Sequence, residues 1–224
     1  MTEIGLFCGT FNPIHLGHLL IAECARDQFK LDHVLFVTSP APPHRNVGLL
    51  DGEARHKLVE AAVAPNKYFR ASRLELSRPG PSYTVDTVKE VLSASAKAGE
   101  NEGKSVRVNL IIGGDNLPFL KDWHNSAELL SLCRLLVVPR LRYLSESQSQ
   151  EKSEVGADVV QTITQSPQPS AVDIPNFELV DFPGIAISAS NIRKRISLNK
   201  TVLYMVPAEV DALIKSGNYY REYV

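Results

Sequence analysis

Residues 5–18, Gly-Leu-Phe-Cys-Gly-Thr-Phe-Asn-Pro-Ile-His-Leu-Gly-His, constrain this chain more than any other stretch. A short apolar strand over residues 4–8 breaks at Gly9, turns through Asn12 and Pro13, and enters a helix near Gly17. Leu19, Ala22, Ala25 and Phe29 then recur at helical spacing. A strand, a glycine turn and a helix entrance together form a general anion site. Backbone N–H groups are unpaired at the entrance, and the helix dipole favours negative charge there. The loop Gly9, Thr10 and Phe11 can aim further N–H groups at a phosphate. His15 and His18 stand three apart, so on a first helical turn they project the same way. A zinc pair would need a third and fourth ligand, and no Cys or acidic residue stands at ligand spacing nearby. Burial of both rings in a core conflicts with a polar, solvent-facing helix entrance. Two imidazoles over a phosphate-sized anion site is the reading that remains.

The chain downstream supplies a sheet for this unit. Residues 33–38, His-Val-Leu-Phe-Val-Thr, form a continuous apolar run of strand length and complete a right-handed βαβ unit. Residues 39–45, Ser-Pro-Ala-Pro-Pro-His-Arg, make a stiff loop ending in His44 and Arg45. A helix is expected over 55–62 and a strand over 68–74. Pro79, Gly80 and Pro81 end that strand, and Ser82 is placed to cap a helix through Val85, Val88 and Leu92. Residues 97–104 read as a surface connector. Residues 106–112 read as a central strand, with Gly113, Gly114 and Asp115 at its ligand edge. Asp115 there is either a turn cap or a site acid. Trp123, the single tryptophan, is either a core aromatic or a site residue among polar neighbours.

A short strand over 135–138 is followed by Arg140, a phosphate contact or a plain surface charge. The composition turns polar at 145–169, which reads as a surface insertion with a short element at 158–164. A strand over 178–182 precedes Ile187-Ser188-Ala189-Ser190-Asn191-Ile192-Arg193, where Ser188 or Ser190 caps a helix and Arg193 leaves its first turn. Pro207 at a helix N1 position, with Glu209 and Asp211 in the first turn, opens a closing helix that runs toward Tyr220.

Composition excludes several classes. Lys and Arg number 24 against 25 Asp and Glu, a net charge of -1. No global attraction to nucleic acid or anionic membrane follows. Cys8, Cys24 and Cys133 are scattered and odd in number, as reduced thiols in a cytoplasmic protein are. No apolar run approaches membrane-spanning length, and the first residues do not resemble a signal peptide.

Gly9 to His18 resembles the GTFxPxHxGH signature of the nucleotidyltransferase superfamily. Residues 75–84, Glu-Leu-Ser-Arg-Pro-Gly-Pro-Ser-Tyr-Thr, are similar to the E-x-x-R-x-G-P-S-Y-T segment of bacterial nicotinate-nucleotide adenylyltransferases. The 187–193 segment resembles their ISxTxIR, with Ser190 for the usual threonine. The 42–45 segment resembles their PPHK loop, with Arg45 for the usual lysine. The resemblance covers almost the whole chain except the insertion. It implies a single α/β domain over 1–224, a Rossmann-like doubly wound parallel sheet with a small helical C-terminal portion and a surface insertion at about 145–170.

The activity it implies is adenylyl transfer from ATP to nicotinate mononucleotide, giving deamido-NAD and pyrophosphate. His15, His18 and Arg193 are implied as catalytic. ATP contacts are implied for Gly9, Thr10, Phe11, His15, His18, Asp115, Ser188, Ser190 and Arg193. Nicotinate mononucleotide contacts are implied for Asn12, His44, Arg45, Tyr83, Thr84 and Trp123. Mg2+ is expected to ride on ATP, with no metal ligands from protein side chains. ATP and nicotinate mononucleotide are the expected partners, without nucleic acid or membrane, and a homo-oligomer is left open. The alternatives are nicotinamide mononucleotide or another phosphorylated acceptor, and a non-catalytic nucleotide- or tRNA-binding module. The second is disfavoured by the near-neutral charge and by the lack of a KMSKS-like lysine loop.

Overall fold

Apolar runs that do not alternate, such as residues 33–38, belong in strands covered on both faces. The computed structural model places them so. It describes residues 1–40, 48–99, 105–139 and 177–222. Strands β1 (Thr2–Gly9), β2 (His33–Thr38), β3 (Phe69–Ser72), β4 (Val106–Gly113), β5 (Cys133–Val138) and β6 (Phe177–Leu179) form one sheet, ordered β3-β2-β1-β4-β5-β6. All its pairings are parallel. The order reverses between β1 and β4. At that point the connections leave for opposite faces and open a crevice beyond the strand ends. The Rossmann-like doubly wound sheet is the expected one.

Helices α1 (Leu16–Phe29), α2 (Gly52–Val63), α3 (Thr84–Gly99), α4 (Ser126–Leu132), α5 (Ala189–Ser197) and α6 (Ala208–Ser216) cover the sheet. The period of two along each strand sorts the core into two layers. Phe36, Ile111, Leu136 and Val138 pack with Ala22, Ala25, Leu58, Val59, Ile192 and Val210. Val37, Leu110, Ile112, Leu135 and Val137 pack on the other face with Val85, Val88, Val91 and Leu129. The alternation of Leu135 and Val137 against Leu136 and Val138 shows one strand feeding both layers.

The structure corrects several boundaries. The strand expected to reach residue 74 ends at Ser72, because the chain turns there and carries Glu75 inward to a buried position. Ser82 does not cap α3. Its hydroxyl accepts from Arg78 Nη1 at 2.7 Å, and the Tyr83 carbonyl takes the first helical bonds, from the Asp86 and Thr87 N–H groups. Residues 97–99, expected in a connector, extend α3. The strand expected over 178–182 is Phe177–Leu179, and the chain then leaves the sheet. Pro207 is the N-cap of α6 rather than its N1 residue, and α6 ends at Ser216, before Tyr220. The 3-10 segment Gly114–Asp122 and the short α4 were not foreseen. His44, Arg45, Arg140, the 145–170 insertion and its 158–164 element lie outside the described residues. Among the described residues no helix is long and apolar enough to cross a membrane.

Candidate active site

The crevice at the switch point is a cleft of about 580 Å³. Its size suits a nucleotide-scale ligand. The C-terminal ends of β1 and β4 form its floor, from Cys8 to Phe11 and from Leu110 to Gly113. Three helices begin at its wall. Gly17 and His18 of α1, Thr84 of α3, and Ser188 with Ala189 of α5 all line it. The positive ends of three helix dipoles therefore converge on one space.

The histidine turn owes its shape to tight contacts. Phe11 has φ of 45° and is 3% exposed. A Cβ on Gly9 would sit 3.0 Å from two carbons of the Phe11 ring, a tight contact where the ring folds under the loop. A Cβ on Gly17 would lie 3.0 Å from His15 Nδ1, an equally tight contact between the histidines. The Asn12-Pro13 peptide is cis. His15 is the N-cap of α1, and its ring stacks on that of His18 with centroids 3.7 Å apart. Phe11 meets His18 edge-on at 5.2 Å.

The backbone N–H of His15 donates to His18 Nδ1 at 3.2 Å. An Nδ1 that accepts leaves the proton of the neutral ring on Nε2, so His18 is held in the tautomer with an Nε2 donor. Sequence spacing put the two rings on one face. The stacked pair and the fixed tautomer are what the folded turn adds.

The other expected residues divide between the cleft and its supports. Gly9, Thr10, Phe11, His15, His18, Thr84, Asp115, Trp123 and Ser188 line the cleft. Trp123 also packs against the α3 side of the core, so both readings of it hold at once. Tyr83 instead stacks on His124, centroids 4.1 Å apart, and is 41% exposed. Asn12 has its amide engaged as structure: Nδ2 donates to the Gly48 carbonyl at 2.9 Å and Oδ1 accepts from the Leu50 N–H at 3.2 Å. Ser188 caps α5 by accepting from the Asn191 N–H, and the Ser190 hydroxyl lies 3.2 Å from it. Arg193 Nη1 donates to the Asn12 carbonyl at 2.7 Å, tying α5 to the rear of the histidine turn.

Sequence reasoning missed the wall from Phe182 to Ile187 and the polar network below the floor. The wall follows the segment read as a strand to residue 182, and the network joins Cys8, Glu75, Arg78 and Thr87, which the sequence motifs contain but do not pair. In that network Thr87 Oγ1 donates to Glu75 at 2.9 Å, and the Cys8 thiol also bonds to Glu75. Arg78 donates to Thr87 Oγ1 and pairs with Glu90 at 2.7 Å. Glu75 is 4% exposed, and burial raises its carboxyl above the usual value against the opposing effects of Thr87, Cys8 and Arg78.

The folded state thus holds the Glu75 proton to higher pH than the unfolded chain does. The stability from this group is full below the unfolded value, about 4.3, and declines as pH rises through the raised one. Glu75→Gln removes that decline. Its melting temperature should exceed wild type at pH 8 by roughly 2–4 °C, the response of a domain this size to about 1 kcal/mol. At pH 4 the gain should vanish. A pH series of thermal scans with the same difference at both ends would contradict this account of Glu75.

Among the described residues no group of three or more His, Cys, Asp or Glu side chains could hold a metal ion. Cys8, Cys24 and Cys133 are free thiols, and burial pushes Cys133 up to about 12.

The chain is similar to known proteins over nearly its whole length. The cytidylyltransferase-like family model matches residues 6–195. A protein of Cytophaga hutchinsonii named a probable nicotinate-nucleotide adenylyltransferase is 36% identical, over 99% of this chain and 100% of its own length. One of the same name from Moorella thermoacetica is 34% identical, over 98% of this chain and 92% of its own. Among solved structures, the nicotinic acid mononucleotide adenylyltransferase of Plasmodium falciparum complexed with NaAD superimposes with a TM-score of 0.68. The alignment covers 100% of this chain and 99% of that one at 14% identity, a likeness of fold.

Proposed function

We propose, from the premise that this chain belongs to the nicotinate-nucleotide adenylyltransferases of the cytidylyltransferase-like family, that it transfers the adenylyl group of ATP to nicotinate mononucleotide, giving deamido-NAD and pyrophosphate. The observation that carries the mechanism is the convergence of the glycine loop, the fixed His18 tautomer and three helix entrances on one cleft. An acceptor phosphate oxygen attacks the α-phosphorus of ATP. The bond from that phosphorus to the bridging oxygen breaks, and pyrophosphate leaves with the electron pair. The nucleophile is a phosphomonoester with a second pKa of about 6, already ionised at neutral pH. No general base is needed, and catalysis reduces to positioning and charge stabilisation.

In this reading the loop from Gly9 to Phe11, His15 and His18 receive the triphosphate. His18 donates from Nε2 to the developing charge. The Ser188 and Ser190 hydroxyls close the phosphate end from α5, and Arg193 braces the histidine turn through the Asn12 carbonyl. Asp115 stands by the nucleoside. The acceptor lies between Thr84 and Trp123, with Tyr83 shaping the entrance through its stack on His124. Mg2+ carried by ATP would supply neutralisation of phosphate charge. The described cleft lining offers a single carboxylate, Asp115, which suits an ion held mainly by phosphate and water oxygens.

The test is pyrophosphate release with a panel of acceptors: nicotinate mononucleotide, nicotinamide mononucleotide and phosphopantetheine. Release with the first above all others is expected, and release only with another acceptor would replace this reading. Trp123 stacks on the ring in this arrangement, and a pyridinium over an indole is a cation–π pair. Trp123→Ala should therefore raise KM for both pyridine acceptors by roughly 2- to 30-fold. The ratio between the two acceptors should stay constant. Initial-rate kinetics in which Trp123→Ala altered that ratio would place the ring elsewhere.

A further inference from the structure

Arg55 is fully buried, on the face of α2 that also carries Leu58, Val59 and Ala62. Its described hydrogen-bond partners are all carbonyl groups. Nε donates to the Leu50 carbonyl at 2.8 Å, and Nη1 donates to those of Thr10 at 2.5 Å and Ser39 at 2.8 Å. Among the described residues its Nη2 is buried without a hydrogen-bond partner, as is the Tyr220 hydroxyl. A buried cation without a carboxylate at hydrogen-bond distance is costly, and packing alone would be met by an apolar side chain. What the cation holds is the loop that carries the histidine signature.

In a trans peptide the C=O and N–H point in opposite directions. Arg55 draws the Thr10 carbonyl toward α2, and the Ser39 N–H draws the Gly9 carbonyl toward β2 at 2.9 Å. The Thr10 and Phe11 N–H groups are thereby turned the other way, on a loop whose open side is the cleft. We propose that Arg55 is a positioning residue for the phosphate loop. It fixes the peptide planes that aim these two N–H groups at a phosphate, and it sets a permanent positive charge beneath them. The inference rests on the adenylyl-transfer reading, which supplies the anion.

Calorimetric titration with inorganic pyrophosphate and with nicotinate mononucleotide tests it. Wild type must bind pyrophosphate; failure there would overturn the adenylyl-transfer reading and the inference with it. Arg55→Lys keeps the charge but lacks the fork that spans three carbonyls. Its pyrophosphate Kd should rise about tenfold or more, while its nicotinate mononucleotide Kd stays within about twofold. Unchanged pyrophosphate affinity would overturn the proposal. So would an equal loss for both ligands or a failure to fold, since either makes Arg55 a general support. In 15N-labelled protein the Phe11 amide should move downfield on pyrophosphate addition, and less so in Arg55→Lys. An equal Phe11 shift in both proteins would overturn the proposal independently of the affinities.

Discussion

His18→Ala should lower kcat by about 10²–10³ while KM for ATP changes far less, because one preorganised donor to developing charge is typically worth that much. Described contacts with His15, Phe11 and Phe7 hold the donor's ring. The His15 N–H occupies Nδ1, the His15 ring stacks on one face, and Phe11 abuts the ring edge-on. These contacts are present before the reaction and need not form during it. In the proposed mechanism, binding of ground-state ATP draws on the whole loop and on the three helix entrances that line the cleft, and so depends less on this one ring. Steady-state kinetics on folded His18→Ala decide the matter. Turnover near wild type would remove His18 from the mechanism, and a loss confined to KM would make it a binding residue only.

The wild-type protein should prefer nicotinate mononucleotide over nicotinamide mononucleotide by about 10²-fold or more in kcat/KM. The two acceptors share phosphate, ribose and a cationic ring, so Trp123 cannot separate them. In the proposed mechanism the separating element is the entrance of α3 at Thr84, which lines the cleft. There the Tyr83 carbonyl is already engaged by the N–H groups of Asp86 and Thr87. The Ser82 hydroxyl is engaged by Arg78. What the first turn offers a ligand is therefore mainly N–H donors, beside the Thr84 hydroxyl. A carboxylate accepts from them and gains from the dipole of a helix spanning Thr84–Gly99, worth about 0.3–1 kcal/mol when exposed and up to about 2 when partly buried. A carboxamide must turn its NH2 toward a donor and leave polar groups unpaired, at about 1–3 kcal/mol. Equal kcat/KM for acid and amide would contradict this account of the α3 entrance.

The parts of this architecture legible in the sequence were those carried by local pattern. Residues 33–38 read as a buried strand because they are apolar throughout, and β2 has those bounds. The turn from Gly9 to His18 read as an anion site because glycine, proline and histidine spacing constrain a backbone directly. Residues whose role depends on a distant partner were not legible. Arg55 sits on a helical face with Leu58, Val59 and Ala62, and a charge at a core position was the one available signal. Its Thr10 partner lies 45 residues away. Ser82 failed as a cap for a local reason: Arg78, four residues earlier and folded back beside it, claimed the hydroxyl that a capping rule assigned to the helix. The strand expected over 178–182 was cut short because residues from Phe182 onward are drawn off the sheet to wall the cleft.

The most direct test of adenylyl transfer follows phosphorus through a single turnover. Wild-type protein is incubated with nicotinate mononucleotide, Mg2+ and ATP carrying 32P at either the α or the γ position, and the products are separated. The mechanism predicts that α label appears in deamido-NAD and γ label appears only in pyrophosphate. Label from the γ position in the acceptor product, or α label recovered only as free AMP, would contradict it.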